Sequence, residues 1–566
     1  MSRVSDAGYT GVVKLALAQM NPTVGDFVGN TQKILSLIDT AHRQGADLVI
    51  FPELAICGYP PADLLEKPSF LARTEEVLAE IAQTATKDRN VAVLCGCLTP
   101  AAENSGKKVM NSAALLRNGH VEFVQSKMLL PYYDVFDEQR YFAAATSQSI
   151  YTLAGERLGI TICEDAWNDK NFWRQRLYPV DPVENLIQQG ASLVLNISAS
   201  PYSRGKREIR HRMLSALARR HHVPVVMVNQ VGGNDSLIFD GTSLAMDAEG
   251  NCIAQARSFK EDLVLVDLSS PSMPLPVETD PWEDEAVYQA LVLGTRDYVR
   301  KCGFTQAIIG LSGGIDSALV AAIATEALGP ENVLGVGMPS EYSSRGSIDD
   351  AKALACNLGI RFELMPICGI FASNIAALQP MLKDYPADIT EENLQSRIRG
   401  TLLMALSNKL SALVLSTGNK SEMSTGYCTL YGDMVGALAV IGDVYKTCVY
   451  RLAQYANRGR EIVPQNTLTK PPSAELRPGQ QDTDSLPRYE VLDPILEAYV
   501  ERYETAEMIV QSSKKDAPLD PELVRRVLRM VERSEYKRQQ AAPVLKVTQK
   551  SFGFGRRFPI AVKVQI

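Results

Sequence analysis

Apolar residues run along this chain in two ways, as short continuous blocks and as stripes at helical spacing. The blocks at 14–20 (KLALAQM), 47–53 (DLVIFPE), 91–98 (VAVLCGCL), 112–117, 158–163, 192–197 (SLVLNI) and 224–229 (PVVMVN) predict strands. The stripes near 30–45, 72–88 and 206–220 predict amphipathic helices between some of them. A hairpin near 241–256 (GTSLAMDAEGNCIAQA) closes this half, which reads as a layered α/β domain. The segment 269–284 (SSPSMPLPVETDPWED) is rich in proline, serine and acids and reads as a linker. Beyond it, a helix at about 284–302 leads into a strand at 305–311, a helix at 316–328, a strand at 332–338, a helix at 347–358 and a strand at 361–367. Alternation at that pitch predicts a Rossmann-like, doubly wound parallel sheet. The expected domains are 1–268 and 285–566, with 269–284 between them.

Composition narrows the class. A chain of 566 residues is long enough for two or more domains, and 46% apolar with 22% charged residues is ordinary for a globular protein. The net charge of −7 comes from 65 acids and 58 bases mixed along the chain, so neither nucleic acid nor an anionic membrane is an expected partner. No stretch reaches the roughly 18 apolar residues of a membrane span, and the start MSRVSDAGYT lacks the apolar core of a signal peptide. Ten scattered cysteines without a CxxC pair suit a reducing compartment, and the cytoplasm is the expected location. None of the five histidines follows residue 222, so chemistry in the second half must proceed without imidazole. The adjacent His221 and His222 read as a helix end rather than a metal site.

The sharpest motif is AIIGLSGGIDSALVAAIA, residues 307–324. A strand ends in a glycine-rich turn and passes straight into a helix, so backbone N–H groups and the positive helix end converge on one point. Ser312 and Ser317 add hydroxyl donors, and the Gly-Lys-Ser/Thr ending of a Walker loop is absent. This stretch resembles the pyrophosphate loop of the ATP pyrophosphatases, which split ATP between its α and β phosphates. With MPSEYSSRGSIDDAKALACNLGI (338–360), ENLQSRIRG (392–400), LVLSTGNKSEMSTGYCTLYGDMVGAL (413–438), GDVYKT (442–447) and SEYKRQQAAP (534–543), the region 285–560 resembles the NAD synthetases. The resemblance implies amidation of deamido-NAD through an adenylylated intermediate, with AMP and pyrophosphate released. It implies that Gly310, Leu311, Ser312, Gly313, Gly314, Ile315, Asp316 and Ser317 hold ATP together with Thr417, Lys446 and Ser473. Asn393, Glu422 and Lys537 would contact deamido-NAD, and Asp316 and Glu422 would ligate Mg²⁺. The run Val440-Ile441-Gly442 departs from the family's usual wording.

Such an activity needs ammonia, which gives meaning to ITICEDAW (160–167) in the first half. Cys163 ends an apolar run, yet Glu164 and Asp165 beside it should weaken the thiol as a nucleophile. Glu53 after Phe-Pro, Lys127 in SKMLLPYYDVFDEQRYF and Cys163, in that order, resemble the triad of the nitrilase superfamily over about residues 12–265. That resemblance implies an α-β-β-α sandwich and a glutamine amidohydrolase. Glu53 would be general base and acid, Lys127 an electrostatic and oxyanion partner, Cys163 the nucleophile, and Glu138 an orienting group for Lys127. Tyr133, Glu164, Ser200 and Lys206 would form the glutamine pocket. Ammonia would pass internally between the halves, and a homo-oligomer, at least a dimer, is expected. Two other readings compete: an ATP pyrophosphatase acting on another carboxylate or thiolating RNA, and a scaffold with one inactive half. The intact Glu-Lys-Cys set and SGGIDS loop weigh against the scaffold.

Overall fold

The computed structural model describes residues 14–87, 89–268, 275, 283–513 and 518–563. They divide into two compact units, one formed by the described residues up to 275 apart from 235–237, the other by 235–237 and everything from 283 onward. Most of the expected linker lies outside the described residues. Glu283 and Asp284 already belong to the helix Glu283–Lys301.

The first unit contains two six-stranded sheets. One runs in the order Asp262–Asp267, Lys14–Gln19, Leu48–Ile50, Ala92–Pro100, Val109–Arg117 and His120–Ser126. The other runs Cys252–Gln255, Leu244–Met246, Val225–Asn229, Leu193–Ser198, Glu156–Ile162 and Tyr151–Leu153. Alternate residues of both sheets meet in one apolar layer, where Leu15, Leu17, Leu48 and Ile50 pack with Ile160, Ile162, Leu195 and Val228. Their outward-facing neighbours pack under the helices Phe27–Arg43 and Pro68–Thr86 on one side and Lys206–His221 on the other. This is the expected α-β-β-α sandwich. The unit does not close on the 241–256 hairpin. The strand Asp262–Asp267 follows it and pairs antiparallel with Lys14–Gln19, its alternation being too short to stand out in the sequence.

In the second unit five strands, all parallel, run in the order Arg361–Leu364, Val333–Gly337, Ala307–Gly310, Leu413–Ser416 and Leu438–Ala439. The first strand in sequence is central and the order reverses beside it, so its carboxyl end lies at the crevice where such sheets place ligands. The helix Ile315–Leu328 begins there and is buried along most of its length. A second apolar layer, formed by Tyr489–Glu501, Ala506–Ser512 and Pro521–Arg533, was not anticipated. The helix Cys368–Leu382 (CGIFASNIAALQPML) has no buried residue although most of its side chains are apolar.

Candidate active sites

In the first unit, Glu53 follows the strand Leu48–Ile50, Lys127 follows the strand His120–Ser126, and Cys163 opens a single helical turn directly after the strand Glu156–Ile162. Strand ends bring the three together, as a rigid scaffold requires. Lys127 Nζ donates to Glu53 Oε1 at 2.7 Å and to Glu138 Oε1 at 2.8 Å, and all three side chains are buried. Glu53 is held further by Asn111 Nδ2 on Oε1 (2.6 Å) and the backbone N–H of Ala199 on Oε2 (2.8 Å). Tyr59 donates its hydroxyl to Glu138 Oε1 at 2.8 Å.

Two carboxylates against one ammonium make this an electrostatically loaded site. Burial opposes the charge on Lys127, but Glu138 and Glu53 outweigh it and hold the ammonium well above its ordinary pKa. Burial raises the Glu138 carboxyl, and Lys127 only partly offsets this. Cys163 is 6% exposed and takes a φ of +45°, which a residue with a β-carbon adopts only under constraint. Burial first and the Glu53 charge second push its thiol up; Lys127 pulls it back only in part. Burial and the Glu53 charge thus favour the thiol over the thiolate, so a base beside Cys163 matters at the moment of attack.

The expected glutamine-pocket residues are partly united. Tyr133 donates its hydroxyl to Glu164 at 2.9 Å, and the Lys206 charge acts on the same carboxylate. Lys206 Nζ also lies 5.4 Å from the ring centre of Trp167, so it is not merely the exposed start of a helix. Ser200 is buried against Asn229, with Arg210 at 3.5 Å from its hydroxyl. His221 and His222 end a helix, and among the described residues no cluster of three or more metal-type side chains occurs.

In the second unit a cavity of about 380 Å³ opens at the carboxyl end of the central strand. Gly310, Leu311, Ser312, Gly314, Ile315, Asp316, Ser317, Asn393, Thr417, Glu422, Lys446, Ser473 and Lys537 all line it. Gly313 does not. Its φ is +78°, and a β-carbon there would fall 2.2 Å from the carbonyl oxygen of Ser347, so it lets the loop lie against the next helix. Lys537 Nζ donates to the carbonyls of Gly426 and Cys428, both at 2.7 Å. The Thr429 hydroxyl donates to Asn393 at 2.6 Å. The departing run is absorbed in the core, with Val440 and Ile441 fully buried, and Lys446 still reaches the cavity.

Lys446 is buried between two acids, paired with Asp316 and 3.5 Å from Glu422. Burial and the neighbouring Asp316 charge raise the Glu422 carboxyl. The facing carboxylates of Asp316 and Glu422 form a donor set that a hard divalent cation fits, with phosphate oxygens completing its shell.

Several residues escaped the sequence reading. Asn419 accepts the N–H of Glu422 at 3.0 Å as a helix cap and donates Nδ2 to Asp316 Oδ1 at 2.9 Å, so it joins the two acids. Its signal was the N-cap position three residues before Glu422. Arg399, Lys470 and Asp482 also line the cavity. Gly96 backs Glu53: a β-carbon on it would sit 2.3 Å from Leu54 N and 2.7 Å from Glu53 C.

Residues 287–541 match the NAD synthase family model, and residues 14–273 match that of the carbon-nitrogen hydrolases. A glutamine-dependent NAD(+) synthetase from Synechocystis sp. is 52% identical over 97% of this chain and 98% of its own. Another from Thermotoga maritima is 44% identical over the same shares. The solved structure of the Acinetobacter baumannii glutamine-dependent NAD+ synthetase, in complex with ADP, is 41% identical. It has a TM-score of 0.74 and covers 97% of this chain and 98% of its own. A Cytophaga hutchinsonii synthetase, 23% identical with a TM-score of 0.81 over the same shares, matches in fold.

Proposed function

The chain belongs to the glutamine-dependent NAD(+) synthetases, and from that premise we propose how its residues divide the work. The protein amidates deamido-NAD to NAD at the expense of ATP, drawing the nitrogen from glutamine. The observation that carries the reading is that one chain holds both constellations. A buried Glu53–Lys127–Glu138 triad accompanies Cys163 in one unit, and a phosphate-loop cavity ringed by Lys446, Asn393 and Lys537 lies in the other.

In the first unit Glu53 takes the Cys163 proton as Sγ attacks the glutamine amide carbon. The Lys127 ammonium, with a backbone N–H after Cys163, stabilises the oxyanion. Glu53 then gives its proton to the departing ammonia, and water hydrolyses the thioester to glutamate. Tyr133, Glu164, Ser200 and Lys206 hold the ends of glutamine, with Glu164 at its ammonium and Glu138 keeping Lys127 oriented. Ammonia passes internally to the second unit.

In the second unit the Ser312–Ser317 loop and Lys446 grip the ATP phosphates, with Thr417 at the adenosine or ribose and Ser473 at the phosphates. Asn393 and Lys537 orient deamido-NAD so that its carboxylate attacks the α-phosphorus, forming an acyl adenylate that ammonia converts to the amide and AMP. This is catalysis by positioning and charge, which needs no imidazole. Asp316 and Glu422 would hold Mg²⁺, whose charge would offset that of the departing pyrophosphate.

The apolar helix Cys368–Leu382 supports a homo-oligomeric assembly: Ile370 is 41% and Met381 80% exposed, with Tyr385 and Ile389 beyond them. The ten free thiols support a cytoplasmic setting. The deciding experiment measures NAD formation by the wild type and Cys163→Ala with glutamine and with ammonium. Loss of only the glutamine-driven reaction supports the assignment. No NAD from either source by the wild type would sink the substrate, and retained glutamine use by the variant would sink the nucleophile.

A further inference from the structure

Asp165 lies two residues from the nucleophile, yet no step above uses it. Its carboxylate is 1% exposed. Oδ1 accepts the backbone N–H groups of Met128 (3.1 Å) and Leu129 (2.8 Å), and Oδ2 accepts that of Ile162 (3.1 Å). Those donors belong to two distant stretches of chain, one immediately after Lys127 and one immediately before Cys163. On its other side the Lys127 backbone is pinned by its N–H to Asn111 O (2.8 Å) and by Ala145 N–H to its own carbonyl (2.9 Å). Cys163 is held at its carbonyl by Asn196 Nδ2 (3.3 Å) and keeps its positive φ between these restraints.

We propose that Asp165 is a positioning residue of the glutaminase, a single carboxylate that clasps the Lys127 segment to the Cys163 turn and acts through Lys127. The proposal rests on the amidase reading of the first unit. It gives the acid beside the thiol a use other than activating it. Both oxygens must be acceptors, because all three groups facing them are donors. An asparagine offers one acceptor and turns an N–H₂ toward N–H groups, so it breaks at least one of the three bonds in a dry site. A displacement of the ammonium by a fraction of an ångström is enough to weaken an oxyanion contact whose strength depends on preorganisation.

The test is a double-mutant cycle on Asp165→Asn and Lys127→Ala in the full-length protein. It reads the rate at which a glutamine-derived chloromethyl ketone labels Cys163, alongside kcat and KM for glutamine hydrolysis. Denaturant unfolding followed by the fluorescence of Trp167 and Trp173 in the same preparations reports that the first unit is folded. Asp165→Asn is expected to lower labelling and kcat by about 30- to 100-fold, with KM for glutamine within about threefold. In the Lys127→Ala background it should add less than about threefold, because the residue through which it acts is gone. A full additional loss in that background overturns the proposal, as does near-wild-type kcat in the single variant. If Asp165→Asn does not fold, Asp165→Glu keeps charge and acceptors with one more methylene and should give an intermediate kcat at unchanged KM. Wild-type kcat, or a parallel shift of kcat and KM, overturns it there. Cys163→Ala run beside these separates the two levels: if it still hydrolyses glutamine, the amidase reading itself falls. If it is inert while the cycle is additive, only the clasp does.

Discussion

Lys127 Nζ stands 2.7 Å from Glu53 Oε1 with neither side chain in contact with solvent. An exposed pair at that distance would be worth under about 1 kcal/mol, but here desolvation makes each charge depend on the other. Glu138 at 2.8 Å on the same ammonium means that losing the cation leaves two buried carboxylates facing each other.

Lys127→Met is therefore expected to destabilise the first unit by about 3–5 kcal/mol, partly relieved as Glu138 takes up a proton. Denaturant unfolding followed by the fluorescence of Trp167 and Trp173 measures it, both residues lying in that unit. A change below about 1 kcal/mol would mean that the ammonium is not the partner holding the acids.

Glu53→Gln keeps size and removes the base. Glutamine-driven turnover should fall about 10²- to 10⁴-fold while ammonium-driven NAD formation stays at the wild-type rate. Equal loss with both nitrogen sources would contradict the separate role assigned to Glu53.

Gly96→Ala should mimic that phenotype without touching a functional group. A methyl 2.3 Å from Leu54 N must push the Glu53 backbone aside. Steady-state assays with both nitrogen sources check it. Unchanged glutamine use would show that the 52–54 segment yields without moving the carboxylate.

Asn419→Ala removes both the cap on Glu422 and the hydrogen bond to Asp316. An N-cap is worth about 0.5–2 kcal/mol, and the two acids lose their common tether. Ammonium-driven kcat/KM should drop about tenfold or more while glutamine hydrolysis is unaffected. Wild-type synthesis would show that the acids hold their places without it.

Ile370→Glu combined with Met381→Glu puts two charges on the exposed apolar helix. Light scattering after gel filtration should show a smaller assembly than the wild type. An unchanged mass would place the subunit contacts elsewhere.

The chain's strands of continuous apolar residues were legible because burial on both faces leaves no polar alternation to confuse them. The SGGIDS turn was legible because strand, glycines and helix start are contiguous in sequence. The strand Asp262–Asp267 and the C-terminal helices were harder to see. Their faces are defined by partners far away in the chain rather than by local spacing.

Local sequence determined the loop between the central strand and its helix, the strand that delivers Cys163, and the histidine-free character of the second half. Tertiary structure alone decided which groups meet: that Lys127 serves Glu53 and Glu138 at once, that Asn419 ties Asp316 to Glu422, and that Asp165 accepts three backbone N–H groups. A motif fixes which groups are available over a few residues. The pairing of charges, and the desolvation that sets their strength, arise only when segments 74 or 103 residues apart are packed out of water.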